Sequence, residues 1–147
     1  LSEKISGLPI RAILIVLLLL SLISNIQATK RLSERNGNFP PNWKSYFQAG
    51  DWIRQNTQSD VKIACRKPFL MNATADRKTT GYVWETPDKV IQDFEQKGVD
   101  IVVVDQLGFS STPLYLVPAV NAQKNRFKLL LRIPNSNTFI LKFIQTP

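Results

Sequence analysis

Histidine is absent from the 147 residues, and cysteine occurs once, as Cys65. A single thiol cannot close an internal disulfide, and without histidine the usual zinc spacings and every His-dependent triad are excluded. Metal and acyl-transfer chemistry fall away first, and no cofactor, metal ligand or catalytic residue is expected. Glycine is sparse: the six are scattered, with neither the closely spaced glycines of a dinucleotide turn nor a Walker phosphate loop. Acid is scarce beside base, eleven Asp and Glu against nineteen Lys and Arg for a net +8. The segment after Asp105 holds Lys124, Arg126, Lys128, Arg132 and Lys142 and no acid at all. Such a field suits an anionic partner. The charge is spread along the chain and no recognised nucleic-acid module is present, so nucleic acid is not the partner expected.

What is present is unevenly placed. Ala12–Ile23 has one polar residue, Ser21, in twelve. Extended to Leu8–Ile26 the apolar run is nineteen residues, about 28 Å as a helix against a hydrocarbon core of about 30 Å. It is long enough to span a bilayer, with Arg11 able to snorkel near its start. A secretory signal peptide, ending in the small residues near Ala28, and a buried core helix are the competing readings. Charge does not orient a span: Lys4 and Arg11 precede it, and Lys30, Arg31 and Arg35 follow it. The chain opens on Leu1, from which the expectation follows that it is the end of a longer protein.

The organisation expected is a transmembrane helix with its flanks over residues 1–29, a linker over 30–41 stopped by Pro40-Pro41, and a folded domain over 42–147. Within that domain Trp43, Tyr46, Phe47, Gly50 and Ile53 recur at helical intervals, with Asn42 as a candidate N-cap and Trp52 flanking the stripe. Val61–Cys65 alternates as a strand, broken by Arg66-Lys67-Pro68 and followed by a loop or short helix through Phe69–Met71. Lys78–Trp84 is a weaker strand. Thr86-Pro87-Asp88 opens a helix that Gly98 closes. Val99–Asp105 is a β-branched run fit for a central strand covered on both faces. Thr112-Pro113 opens a helix to about Asn125, interrupted at Pro118. Phe127–Ile133 and Thr138–Ile144 form a hairpin across Pro134–Asn137. The order predicts a layered α/β domain with a mainly parallel sheet and a C-terminal antiparallel hairpin at one edge.

Few residues invite chemistry. Asp105 ends the central strand, where open α/β sheets place ligand groups, although Asp in that position ordinarily just starts the next turn. Asp100 is near in sequence, without a sign that the two carboxylates meet. Arg66-Lys67 and Arg77-Lys78 form a four-cation phosphate-binding patch if the ends of their strands adjoin, and otherwise a solvated charged edge. Trp43, Trp52 and Trp84 are a platform for sugars or bases, or plain core and interface residues.

The succession of an apolar helix, Phe39-Pro-Pro-Asn-Trp43, Tyr46–Asn56, Val61–Pro68, Asp76–Tyr82 and Val99–Asp105 resembles the C-terminal soluble domain of bacterial polytopic GT-C-type glycosyltransferases, the protein mannosyltransferase and aminoarabinose transferase relatives. The resemblance covers roughly Leu8 to Ile144. It implies sugar transfer from a polyprenyl-phosphate donor at the bacterial inner membrane, with this domain on the periplasmic side. The partners implied are the bilayer, lipid-linked sugar phosphate or anionic lipid, and an upstream transmembrane core of the same protein. The acidic catalytic loop of such enzymes lies between early membrane helices, so the fragment alone is expected to be inactive. A single-span anchored module with a basic surface for lipid, glycan or protein is the alternative.

Overall fold

The computed structural model describes residues 14–18, 20–21, 23–27 and 39–145, and the chain divides into two units, Leu1–Phe39 and Pro40–Pro147. In the first unit the described residues of 14–27 are helical, and Leu14, Ile15, Val16, Leu17, Leu18, Leu20, Ile23 and Ile26 are all exposed. Among the described residues no helix is long and apolar enough to cross a membrane. The expected span from Leu8 to Ile26 and the expected linker over 30–41 lie partly outside them, and the end of that linker, Pro41, already belongs to the first helix of the domain.

The second unit begins with α1 (Pro41–Asn56), followed by β1 (Lys62–Ala64), α2 (Pro68–Ala75), β2 (Lys78–Thr80), α3 (Pro87–Lys97) and β3 (Ile101–Val104). A π-helical turn (Thr112–Leu116) leads directly into α4 (Val117–Ala122), and a 3₁₀ turn (Lys124–Arg126) leads into the hairpin β4 (Phe127–Arg132) and β5 (Phe139–Phe143). Of the expected stripe α1 buries Tyr46, Gly50 and Ile53, together with Ser45 and Ala49, while Trp43 and Phe47 are only partly buried and pack at its margin beside Trp52. Its first helical residue is Pro41, and Asn42 is no cap: its side chain donates to Gln106 O. α3 carries the expected signals, with Pro87 at its first position, Asp88 in its first turn and Gly98 at φ 62° closing it. Pro118 has no N–H to donate and crowds the carbonyl four residues back, and just before it the helix widens so that Val117 N–H reaches Thr112 O.

The sheet has the order β2-β1-β3-β5-β4. β2, β1 and β3 run parallel, whereas β3 pairs antiparallel with β5, and β5 with β4. The sheet is therefore mixed rather than mainly parallel. The reason is that β5 returns through the β4–β5 hairpin and pairs with β3 from the opposite direction. The edge hairpin is present as expected, with a bulge between Leu129 and Leu131. The weak second strand is only three residues long, and of the loop or short helix expected after β1 the helix is what forms, as α2.

The two crossovers that join parallel strands step in opposite directions, β1 outward to β2 and β2 back past β1 to β3. Crossovers of one right-handed sense then place α2 and α3 on opposite faces. The two cores agree: Met71 and Ala75 of α2 pack with α1 against Ile63, Ile101, Val103 and Ile140, while Val90, Ile91 and Phe94 of α3 pack against Ala64, Val102, Val104, Leu141 and Phe143. Alternate residues of β3 face alternate cores. That is why its Ile-Val-Val-Val run has no polar face and is buried throughout.

Candidate functional site

Where neighbouring parallel strands send their outgoing chains to opposite faces, a crevice opens at their carboxyl ends. Here those strands are β1, which continues into α2, and β3, which continues toward the π-turn and α4. The crevice therefore lies between the loops beginning at Cys65 and at Asp105. The chain enters the domain at the same edge, since Asn42 at the start of α1 holds Gln106 O at 2.8 Å.

From the β1 side come Arg66 and Lys67. Tyr46 fixes their backbone, its hydroxyl donating to Lys67 O at 3.0 Å and accepting from Lys67 N–H at 3.3 Å. The Arg66 guanidinium lies 4.9 Å from the ring centre of Trp84 and 4.7 Å from that of Phe109, and Lys67 Nζ lies 4.3 Å from Phe109. These are cation–π distances. From the β3 side comes Asp105, 2% exposed. Its Oδ1 accepts from Leu107 N–H at 3.1 Å, the local turn that Asp at a strand end normally makes. Its Oδ2 has no hydrogen-bond partner. Burial pushes the Asp105 carboxyl above its ordinary value, against the pull of the Leu107 N–H, the Arg66 charge and the nearby Thr112 hydroxyl. From the π-turn come Ser111 and Thr112, both buried, with Thr112 sharing a 3.1 Å hydroxyl contact with Tyr82.

Two hollows adjoin this cluster. The larger, about 520 Å³, is lined by Asp105, Gln106, Phe109, Thr112, Asn137 and Phe139 among others. The smaller, about 250 Å³, lies among Cys65, Arg66, Pro68, Gly81, Tyr82 and Trp84. Burial pushes the Cys65 thiol up to about 12, so it is no nucleophile at neutral pH.

The four expected cations do not converge. Parallel pairing sets Lys62 opposite Lys78, so Arg77 and Lys78 lie at the start of β2 while Arg66 and Lys67 lie just past the end of β1, at opposite edges of the sheet. Arg77 is already occupied: it donates to Arg54 O and Thr57 O at 2.9 and 2.7 Å and caps the end of α1. Asp100 sits at the start of β3, held by Lys62 N–H at 2.9 Å. Asp105 is at its other end, about 17 Å away at the rise of an extended strand, so the two carboxylates do not pair. The tryptophans separate too: Trp43 and Trp52 pack on the α1 core, while Trp84 is 56% exposed beside Arg66. Ser111, Thr112, Phe109 and Tyr46 were not singled out for the site by sequence. The position of the loop after the β-branched strand pointed to Phe109, Ser111 and Thr112, whereas Tyr46 was legible only as part of the buried stripe of α1.

No protein-family model matches the chain, and no curated protein matches it significantly. Among solved structures it is similar to the C-terminal globular domain of an oligosaccharyltransferase from Archaeoglobus fulgidus, at 11% identity and a TM-score of 0.47, over 72% of this chain and 99% of that one.

Proposed function

We propose that this chain is the extracytoplasmic C-terminal domain of a bacterial membrane glycosyltransferase of the GT-C type, tethered by Leu8–Ile26, with transfer from a polyprenyl-phosphate sugar performed upstream of this fragment. The observation that carries the reading is the first unit: its described residues are helical, and eight large apolar side chains stand exposed on them. Apolar side chains around a helix are at home in hydrocarbon, where the backbone is satisfied internally and no polar face is needed. The motif succession from Phe39 to Asp105 supports the family.

Under this reading the chain expressed alone stays with the membrane fraction through alkaline carbonate washing and transfers no sugar. Its natural reading frame continues upstream into several further spans and an acidic extracytoplasmic loop. Release of the chain into the aqueous fraction as a monodisperse species without detergent overturns the tether, and an upstream frame without further spans overturns the enzyme assignment. One observation favours a second reading, an anchored binding module. Lys67 and Arg66 occupy the carboxyl edge at which the chain enters the domain, beside the exposed Phe69 and Trp84, a grouping suited to an anionic headgroup region.

A further inference from the structure

Exposed apolar side chains are ordinary when they lie singly, but the second unit does not scatter them evenly. Phe69 is 91% exposed, Leu114 61% and Trp84 56%. They come from three separate stretches of chain, the first turn of α2, the loop after β2 and the π-turn, and all three stretches lie at the carboxyl edge of the parallel strands. Phe69 directly follows the Arg66-Lys67-Pro68 break after β1, Trp84 lies against Arg66, and the π-turn opens at Thr112, whose hydroxyl meets Tyr82. Leu129 and Ile144, also exposed, sit apart on the hairpin and just past its end.

Cations stand beside them. Arg66 and Lys67 lie against Trp84 and Phe109 and have no ion pair among the described residues. Lys44 is exposed in the first turn of α1, where the chain enters the domain at this same edge. The exposed acid among them is Glu85, and Asp105 is buried. At the amino edge of the sheet, by contrast, cations are already engaged: Arg126 by Glu95, Arg77 by the carbonyls that end α1, and Lys62 by Lys97 O. Apolar and cationic side chains spread along an edge, instead of around a cavity, match an extended surface with phosphates outside and hydrocarbon beneath.

We propose that the carboxyl edge of the sheet docks on an anionic phospholipid bilayer, with Phe69, Trp84 and Leu114 in the boundary between headgroups and acyl chains and Arg66, Lys67 and Lys44 on lipid phosphates. The proposal rests on the anchored reading above and deepens it, naming the occupant of the edge, the side chains that enter it and the way the domain stands. Phe69 is the inserted anchor, because at 91% exposure it adds little to the domain's own core. Lys67 and Arg66 lay their stems along apolar rings while their charged heads reach the phosphates. The domain then stands with its crevice edge on the bilayer and the edge at Asp60 and Lys97 toward water.

The test uses the full chain, isotope-labelled, in nanodiscs of phosphatidylcholine and phosphatidylglycerol that carry a paramagnetic label on some headgroups. Docking is expected to broaden the Phe69 and Leu114 amides and the Trp84 indole N–H at least about threefold more than the Asp60 and Lys97 amides at the opposite edge. Phe69→Ser is expected to cut that contrast about twofold with the spectrum otherwise preserved. Lys67→Glu, or discs of phosphatidylcholine alone, should lower it too, and Lys78→Glu should leave it unchanged. Equal broadening of the two edges in a chain that the discs retain overturns the docking and leaves the tether standing, as does a contrast that neither Phe69→Ser nor Lys67→Glu lowers. An edge that meets another protein instead leaves the Phe69 and Trp84 signals sharp in the discs, which also overturns it. Chain that elutes apart from the discs overturns the tether, and the docking with it.

Discussion

Asp105 has one oxygen satisfied by Leu107 and one unpartnered, and burial lifts its carboxyl above the ordinary value of 3.8. A group whose folded-state proton affinity is raised contributes stability that is fully present below its unfolded value and lost as pH rises through the folded one. Denaturant unfolding at a series of pH values should therefore show wild-type stability declining upward from about pH 4, a slope that Asp105→Asn removes. An unchanged slope in that variant assigns it elsewhere. Cys65, wholly buried with its thiol pushed up to about 12, should react with a water-soluble disulfide reagent only in denaturant; rapid native labelling contradicts the burial. Neither environment is written at the residue itself. Sequence places Asp105 at a strand end and Cys65 inside a strand, but the lid over Cys65 is Tyr46, nineteen positions away, and the neighbours of Asp105 come from three loops.

Between elements, α1 comes close to α2 at Gly50. A methyl group added at Gly50 lies 2.2 Å from Thr74 Oγ1 and 2.8 Å from Thr74 Cβ, so Gly50→Ala is expected to destabilise the domain by about 1–3 kcal/mol, read as a lower thermal midpoint. Thr74→Ala in the same chain should recover part of the loss. On the hairpin, Lys128 and Lys142 are directly opposed across β4 and β5. Like charges there are unfavourable, and Lys128→Glu is expected to stabilise by roughly 0.2–1 kcal/mol, an effect that fades in high salt. Helices were legible where the signals are local. α3 shows cap, proline, first-turn acid and terminal glycine within a dozen residues, and α1 shows an unbroken apolar stripe. α2 was half legible, because Pro68-Phe69-Leu70-Met71 is too short an apolar stretch to have a period. The strand boundaries came out long, since a β-branched residue favours extended backbone whether or not a neighbour strand pairs with it.

Over the whole domain, opposite positions of the two basic clusters make a clean contrast. If anionic lipid is a partner, Lys67→Ala should weaken binding to phosphatidylglycerol-containing vesicles about fivefold, near 1 kcal/mol for one cation at a surface. Lys78→Ala, at the far edge of the sheet, should change it little; equal effects of the two rule out docking through the crevice edge. Sequence alone determined the amphipathic helices, the doubly covered central strand and the edge hairpin, because each rests on residue types or on periodicity within a few turns of chain. Tertiary structure alone decided that β5 runs against β3, that Arg77 caps a helix instead of joining Arg66, and that Arg66, Asp105 and Ser111 meet at one crevice. Those are properties of strand order and crossover direction, set by how two apolar faces of a sheet are covered at once, and no local stretch of residues encodes them.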